Sequence, residues 1–235
     1  MSDVADPTAV DTLRVELANR SYDVIVGSGV LGDCGRLIQP ELARPKAMIV
    51  TDANVAPLYL DTVLNALKAA AIAADAVVLP AGEGTKDFAH LEMLCDRLLA
   101  ARIERTTTLV ALGGGVIGDI TGFAAGIVLR GLAFIQIPTT LLAQVDSAVG
   151  GKTGINTRRG KNLVGLFHQP KQVIADTDTL STLDGRQRRA GYAEVVKYGL
   201  IGDAPFFAWL ERNGAAVCAG DGPACRHAIR TSCAA

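Results

Sequence analysis

The stretch TTTLVALGGGVIGDITGFAAGIVL, residues 106–129, decides the fold. Residues 106–112 are β-branched or apolar and predict a buried strand. After three consecutive glycines, residues 116–129 continue as an apolar helix. A strand, a tight glycine turn and a helix in this order are typical of a β-α unit in a parallel sheet. The stretch therefore predicts an α/β fold.

The glycine turn satisfies the pattern G-x-G-x-x-G from Gly113 to Gly118. Glycine lets the backbone turn tightly, and free N–H groups at a helix start favour the negative charge of a diphosphate. The usual dinucleotide unit adds an acid about 20 residues later to hold a ribose, whereas no acidic residue lies between Asp119 and Asp146. Asp52, at the end of another predicted strand, is the candidate for that role. A ligand-free strand–helix turn is the alternative interpretation.

Strand-like and helix-like segments alternate on both sides of this unit. Strands are predicted at 12–17, 22–26, 46–51, 76–79 and 132–137, the first two as a hairpin, and helices at 57–74 and 87–102. Later in the chain only helical patterns remain, at 186–200, 204–212 and 225–233. The sequence thus predicts a Rossmann-like, mainly parallel sheet domain over residues 1–180 and the beginning of an α-helical domain over residues 181–235.

Composition narrows the class of protein. The 235 residues carry 23 Lys and Arg against 24 Asp and Glu, so no basic excess indicates a nucleic-acid partner. The five cysteines are scattered without a CxxC pair, which favours a reducing cytoplasm over a disulfide framework. The first residues lack the apolar region of a signal peptide, and the uncharged stretch 120–129 is too short to span a membrane. We therefore expect a cytoplasmic chain with no membrane partner.

Residues 138–170 are dense in Gly, Lys, Asn and Thr, with apolar residues between them. We expect a long functional loop here, because loops of this length in compact domains are usually functional or disordered. Lys152 and Lys161 can neutralise a phosphate or a carboxylate. The hydroxyls of Thr139 and Thr140 can cap a helix or donate to a ligand.

The predicted helix 186–200 carries Glu194 and Lys197 three residues apart, so both lie on one face. An exposed ion pair and a metal-ligating carboxylate beside an ammonium are both compatible with this spacing. Catalytic zinc takes about three protein ligands, usually including histidine, and the three histidines show no i,i+4 pair. A complete metal site is therefore not visible in the sequence.

Five motifs follow one another along the chain: GGGVIGDITGFAA (113–125), RG (130–131), IPTTLLAQVDSAVGGKTGIN (137–156), GKNLVGLFHQP (160–170) and GYAEVVKYGLI (191–201). Together they resemble the 3-dehydroquinate synthase family of sugar-phosphate cyclases, and with looser matches the resemblance covers nearly the whole chain. It implies an NAD-binding α/β domain followed by an α-helical domain that carries a divalent metal, zinc or cobalt. It also implies a homodimer and a small-molecule substrate, a sugar-acid phosphate.

The reaction implied by the resemblance is that of a carbon–oxygen lyase in the shikimate pathway, which leads to chorismate and the aromatic amino acids. It converts 3-deoxy-D-arabino-heptulosonate 7-phosphate to 3-dehydroquinate and phosphate. NAD+ oxidises one ring hydroxyl, the new carbonyl acidifies the neighbouring C–H, and phosphate is eliminated. The hydride then returns before ring opening and aldol closure, so NAD+ is regenerated. The metal would polarise the reacting oxygens.

The resemblance also assigns roles to individual residues. Those implied to bind the cofactor are Asp52, Glu83, Lys86, Gly115, Val116, Ile117, Gly118, Asp119, Thr139, Thr140, Lys152, Lys161, Thr179, Leu180, Ser181 and Thr182. Those implied to act on the substrate are Asp146, Lys152, Asn162, Lys197 and Arg130, and Arg130 would reach the phosphate site of a neighbouring subunit. Glu194 is the implied metal ligand.

Two features depart from the family. Ala148 stands where the family usually has Ser. The family is also longer, and its metal-binding histidines lie in the part beyond residue 235, so we expect the chain to be truncated and to hold a metal weakly. Three interpretations stay open: the family's own activity on a chain incomplete for catalysis, another cyclase that makes an inosose or a valiolone, and an inactive NAD-binding fragment.

Overall fold

The computed structural model describes residues 10–235; the N-terminal stretch, where the sequence predicts no signal peptide, lies outside the described residues. The strands are β1 (Asp11–Val15), β2 (Tyr22–Gly27), β3 (Lys46–Asp52), β4 (Ala73–Leu79), β5 (Thr108–Gly113), β6 (Phe134–Pro138), β7 (Lys152–Thr157), β8 (Gly160–Phe167) and β9 (Gln172–Asp176). The helices are α1 (Cys34–Ile38), α2 (Asp61–Ala69), α3 (Phe88–Ala100), α4 (Gly115–Ile127), α5 (Gly185–Gly202), α6 (Ala204–Ala219) and α7 (Gly222–Ala234). Among the described residues, no helix has both the length and the apolar character needed to cross a membrane.

Seven strands form one sheet in the order β1-β2-β9-β6-β5-β3-β4. From β2 to β4 every neighbouring pair is parallel, whereas the edge strand β1 pairs antiparallel with β2. The central strands β5 and β6 are buried along their whole length, as expected of apolar strands that are covered on both faces. The predicted α/β fold with a mainly parallel, Rossmann-like sheet is confirmed.

Helices cover both faces of the sheet. On one face, α1 and α2 share a core with the strands, through residues such as Leu67 and Ile49. On the other face, α3 and α4 pack over the β3 side of the sheet, with Ile120 in that core. Helices α5 to α7 cover the rest of this second face, where Val195 belongs to one cluster with residues of β2 and β9. The helical segment 181–235 thus shares a hydrophobic core with the sheet.

The expectation of a long loop at 138–170 is wrong. Residues Ala143–Ser147 form a π-helical turn, and β7 and β8 form an antiparallel hairpin outside the main sheet. Strand β8 is mostly exposed, so it lacks the apolar run by which a buried strand is recognised. Gly154 and Gly165 face each other across the hairpin, where a Cβ on either would overlap the partner strand's backbone. These glycines are therefore needed for the close approach of two strands.

Two further differences concern the main sheet. Strand β9 has no counterpart among the predicted strands, because its five buried residues are too short a run to stand out beside polar neighbours. The helix predicted at 57–74 ends earlier, since α2 stops at Ala69 and Ala73 begins β4. Alanine favours a helix by propensity, but parallel pairing with β3 places Ala73 and Ala74 in a strand. The other predicted elements are present with shifted bounds.

Helices α1 and α2 are in close contact at Gly35. A Cβ on Gly35 would overlap the backbone carbonyl of Ala66, so this contact admits no side chain. Gly32, in the turn that precedes α1, has open space around its Cβ position. The two glycines therefore differ in packing although they lie close in sequence.

We expect Gly35→Ala to lower the free energy of unfolding by roughly 1–3 kcal/mol, because the methyl group would force α1 away from α2. Gly32→Ala is the matched control and should change it by less than about 1 kcal/mol, in the stabilising direction, since alanine restricts the unfolded chain. Urea denaturation followed by circular dichroism measures both variants. Equal stabilities would contradict the close packing at Gly35.

Candidate functional site

The carboxyl ends of the parallel strands meet at one edge of the sheet. Strand β3 is followed by α2 on one face and β5 by α4 on the other face, so their connections leave in opposite directions. Such a switch point opens a crevice that binds ligands in parallel α/β sheets. The segments that follow β3, β4, β5, β6 and β9 bring these implied cofactor residues to that edge: Asp52, Glu83, Lys86, residues 115–119, Thr139, Thr140 and residues 179–182.

Helix α4 begins at this crevice without a side-chain cap. Its N-cap residue is Gly114, and the first bond of the helix runs from Gly118 N to Gly114 O (3.0 Å). The amides of Gly115, Val116 and Ile117 precede that bond, so they have no partner within the helix ladder. Gly115 and Val116 are half-buried rather than enclosed, whereas Ile117 is buried. An uncapped helix start with reachable amides fits an anionic group such as a diphosphate.

Neighbouring side chains explain why this turn is built of glycine. A Cβ on Gly115 would lie 2.8 Å from Ser147 Oγ, and a Cβ on Gly114 would lie 3.1 Å from Thr140 Cγ2. The Thr140 hydroxyl accepts a hydrogen bond from Ala143 N (3.2 Å), which is the helix cap that the sequence offered as one of two roles. Ser147 is a site residue that the motifs did not single out, because only folding brings it to the turn.

The side chains of Thr179 and Leu180 are used inside the protein. The Thr179 hydroxyl donates to Asp176 O (2.7 Å), and Leu180 lies in the core. Contacts from this segment to a ligand would therefore come from its backbone or from Ser181 and Thr182, which are exposed.

Lys86 forms a buried ionic link between two parts of the site. Its ammonium pairs with Asp119 on α4 and donates to Asn162 Oδ1 on β8 (2.6 Å). The side chain of Lys86 is only 6% exposed and that of Asp119 15%, so solvent screens the pair little. Burial raises the pKa of Asp119 above its usual value, and the Lys86 ammonium acts in the opposite direction. Lys86 thus ties an implied cofactor residue to an implied substrate residue.

Polar contacts hold the β7–β8 hairpin against this region. Asn156 N donates to Lys86 O (2.7 Å), and Asn156 Nδ2 donates to Glu83 Oε1 (2.8 Å). Asn162 N donates to Asn156 Oδ1 (3.0 Å), which supports the left-handed backbone of Asn162 at φ 56°. Lys161 Nζ lies 3.6 Å from Glu83 Oε1 on the exposed side. Asn156 is a positioning residue that the motif contained but the sequence could not assign.

A second polar cluster joins α5 to the π-helical turn. Tyr198 OH lies 3.1 Å from Val145 O and 3.3 Å from Asp146 Oδ1, so its one hydrogen can be donated to either oxygen. Lys197 Nζ lies 3.9 Å from the same Asp146 oxygen and forms an ion pair with Glu194. Burial, with a smaller contribution from the Asp146 charge, raises the pKa of Tyr198 to about 12. The Tyr198 hydroxyl therefore stays protonated and can orient Asp146.

A cavity of about 430 Å³ is lined by members of both clusters. Its walls include the implied site residues Asp119, Asp146, Lys152 and Asn162, and Ser147. Leu163 and Phe167 of β8 give it an apolar side. A cavity of this size, with a few convergent polar groups, suits a small organic molecule.

Arg130 lies outside this cavity and is exposed. It stands in a turn where Leu129, Arg130 and Gly131 all have positive φ, at 50°, 68° and 122°. Two consecutive non-glycine residues in the left-handed region are strained, so the surrounding structure must hold this turn in place. The structure therefore separates Arg130 from the other implied substrate residues of the same chain.

Glu194, the implied metal ligand, is paired with Lys197. Within residues 10–235, no group of three or more His, Cys, Asp or Glu side chains is placed to hold a metal ion. His168 instead has Nε2 at 2.8 Å from Leu132 O and stacks on the ring of Phe134. By themselves, the described residues therefore do not fit a catalytic metal.

We expect Lys86→Met to lower the free energy of unfolding by about 3–5 kcal/mol at pH 7, because it leaves Asp119 buried and unpaired. The pKa of Asp119 is already raised in the folded state, and loss of the ammonium raises it further. A carboxyl with a raised folded pKa destabilises the fold as the pH rises through that pKa. The stability difference between wild type and variant should therefore shrink as the pH falls from 7 toward about 4.

Lys161→Met is the matched control for this prediction, because it removes an exposed ammonium 3.6 Å from Glu83. It should change the free energy of unfolding by less than about 1 kcal/mol. Urea denaturation at pH 7 and at lower pH measures both variants. If the two variants were equally stable at pH 7, the buried link would have no special role.

Comparisons with known proteins agree on one family. The family model described as 3-dehydroquinate synthase N-terminal matches residues 76–190, and the model described as 3-dehydroquinate synthase C-terminal matches residues 191–235. A 3-dehydroquinate synthase from Rhodospirillum rubrum is 62% identical over 232 residues, which cover 98% of this chain and 60% of that protein. The chain spans about 60% of the length of the curated relatives it matches.

Two solved structures share the fold. The 2-epi-5-epi-valiolone synthase from Streptomyces hygroscopicus, with NAD+ and Zn2+ bound, has a TM-score of 0.84 and 32% identity, and the match covers 94% of this chain and 61% of that one. A 2-deoxy-scyllo-inosose synthase, complexed with carbaglucose-6-phosphate, NAD+ and Co2+, has a TM-score of 0.75 and 33% identity. That match covers 81% of this chain and 52% of the other.

Proposed function

This chain belongs to the 3-dehydroquinate synthase family, and from this premise we propose that it contributes to the conversion of 3-deoxy-D-arabino-heptulosonate 7-phosphate to 3-dehydroquinate and phosphate. In this proposal it supplies the NAD+ site and most of the substrate site. The observation that carries the proposal is the crevice at the carboxyl edge, where the uncapped start of α4 adjoins a cavity lined by ammonium, carboxylate and amide groups.

NAD+ would lie along this crevice with its diphosphate at the amides of Gly115 and Val116. Asp52 would hold a ribose, because its Oδ1 already accepts from Asn54 N (2.8 Å) and Val55 N (3.0 Å), which fixes the carboxylate. Two related cyclases of known structure contain NAD+, which supports this assignment. When bound, NAD+ supplies an acceptor for the hydride of one substrate hydroxyl.

The substrate carries a carboxylate and a phosphate, and one ammonium group lies in the cavity and another beside it. Lys152 lines the cavity, and Lys197 lies beside Asp146 at its α5 side. Asn162, whose Oδ1 is engaged by Lys86, would present its amide NH2 to a substrate oxygen. Asp146, oriented by Tyr198, would accept the proton of a substrate hydroxyl and hold it at its carboxylate.

A homodimer and a divalent metal complete the proposal. Arg130 is exposed on a constrained turn away from its own chain's cavity, which suits a role at the phosphate of a second copy. The related cyclase structures contain Zn2+ or Co2+, and Glu194 would be the ligand that this chain offers.

A related cyclase that makes an inosose or a valiolone is the second candidate. The synthases named for those products are 32–33% identical to this chain, whereas the R. rubrum 3-dehydroquinate synthase is 62% identical. The higher identity, over nearly the whole chain, favours the 3-dehydroquinate reaction.

Two further proposals concern the cellular location of the chain and its division into domains. A cytoplasmic location is supported by the five cysteines, all of which are free. A domain division near residue 180 is supported by the change from strands to helices after β9, although the family models divide at residue 190, within α5.

The NAD+ site is tested by Gly114→Asp. The new carboxylate would cap the free amides of α4 and repel a diphosphate, so the Kd for NAD+ should rise at least about tenfold. The new Cβ would lie 3.1 Å from Thr140 Cγ2, which costs stability, whereas the carboxylate is a favourable helix cap, so the melting temperature should change little. Isothermal titration calorimetry measures the Kd.

Gly222→Asp provides the control, since it adds the same carboxylate at the start of α7, where the Cβ position has open space. It should leave the Kd for NAD+ unchanged. A wild-type chain that does not bind NAD+, or equal affinities for the two variants, would contradict the assignment.

We expect Zn2+ to bind this 235-residue chain weakly, because Glu194 belongs to no group of three or more potential ligands among residues 10–235. The Kd for NAD+ should be the same with and without Zn2+, since the two sites use different residues. Calorimetric titration with Zn2+ and a phosphate-release assay with substrate, NAD+ and Zn2+ measure these quantities. Tight zinc binding and full turnover would overturn the expectation.

A further inference from the structure

Tyr59 links two segments that leave the sheet from strands that are not neighbours. It lies in the π-helical turn Ala56–Leu60, between β3 and α2. Its hydroxyl lies 3.1 Å from Thr179 O and 2.7 Å from Thr182 Oγ1, both in the segment after β9. Strands β3 and β9 are separated by β5 and β6, so their axes are roughly 14 Å apart at ordinary strand spacing. The contact therefore spans the ends of two intervening strands.

The three oxygen atoms form a closed hydrogen-bonded set. Thr182 Oγ1 also lies 3.0 Å from Thr179 O, close enough to donate to it. Because each hydroxyl has one hydrogen, one hydroxyl donates to the carbonyl and the other donates to the first hydroxyl. In either arrangement Tyr59 stays bonded to the 179–182 segment.

The hydrogen bonds among Tyr59, Thr179 and Thr182, called the Tyr59 bridge below, lie on the side of the crevice opposite to α4. Tyr59 packs against the core cluster that contains α1 and α2, whereas Ile117 of α4 belongs to the cluster on the other face of the sheet. The Gly113 turn lies between them, at the end of β5. The crevice thus has the α4 amides on one side and the Tyr59 bridge on the other.

We infer that Tyr59 is a positioning residue for the adenosine half of NAD+, an inference that rests on the proposed function. The diphosphate would lie at the start of α4, and the nicotinamide must reach the cavity, which lies on the α4 side. The α2 side, with Asp52 and Tyr59, then remains for the adenosine. By holding residues 179–182 at a fixed distance from the Asp52 turn, the hydroxyl keeps the adenosine pocket formed before the ligand arrives.

Tyr59→Phe tests this role, because it keeps the ring and removes the hydroxyl. The Kd for NAD+ should rise about three- to tenfold, the usual effect of one lost hydrogen bond. The Kd for AMP, which contains only the adenosine half and one phosphate, should rise by the same factor. Calorimetric titration of the wild-type chain and the variant with each ligand provides both ratios.

Tyr192→Phe is the matched control, because Tyr192 OH donates to Leu210 O (3.0 Å) within the helical segment, away from the crevice. It removes the same type of bond and should leave both affinities unchanged. If Tyr59→Phe bound NAD+ and AMP as tightly as the wild type, or if Tyr192→Phe weakened binding equally, the positioning role would be wrong. If the wild-type chain bound neither ligand, the proposed NAD+ site itself would fail, and this inference with it.

Discussion

Parallel pairing of the strands from β2 to β4 is the constraint on which the site depends. Parallel neighbours need crossover connections, so each of these strands runs in the same direction and each ends at the same edge. Segments that follow Asp52, Leu79, Gly113 and Asp176 therefore converge although they are distant in the sequence. Both faces of the central strands are buried. A shift of the pairing register by one residue would move every side chain of a strand to the opposite face of the sheet. The position of the crevice is thus fixed by the core.

The β7–β8 hairpin supplies the part of the site that the sheet cannot. A two-stranded hairpin is marginally stable by itself, so its geometry depends on what it is packed against. The Lys86 ammonium, bonded to both Asp119 and Asn162, fixes the hairpin to α4. On the apolar side, Gly122 leaves room for Thr153 to pack closely on α4. The buried ion pair sets the orientation of the hairpin on α4, and the contact of Thr153 with Gly122 sets the distance between hairpin and helix. Together they place Lys152 and Asn162 beside the crevice.

The sequence predicted what depends on local pattern and missed what depends on long-range contacts. Strand β5 was predictable because its residues are β-branched or apolar up to the glycine turn. Strand β8 was not, because it is exposed and its glycines serve a packing contact with β7. The resemblance gave Lys86 a cofactor role, but no pattern in the sequence shows that its ammonium is engaged by Asp119 and Asn162. No pattern in the sequence indicated the role of Tyr59, because its partner Thr179 is 120 residues away.

The two sides of the crevice are held by bonds of different strength. Breaking the buried pair of Lys86 with Asp119 would leave a charge uncompensated, at a cost of about 3–5 kcal/mol. The contact of Tyr59 with Thr182 is partly exposed, and a neutral hydrogen bond of this kind contributes only about 1 kcal/mol. The Tyr59 bridge is therefore the weaker of the two polar restraints on the crevice, and packing of the Tyr59 ring on the α1 and α2 core supports it.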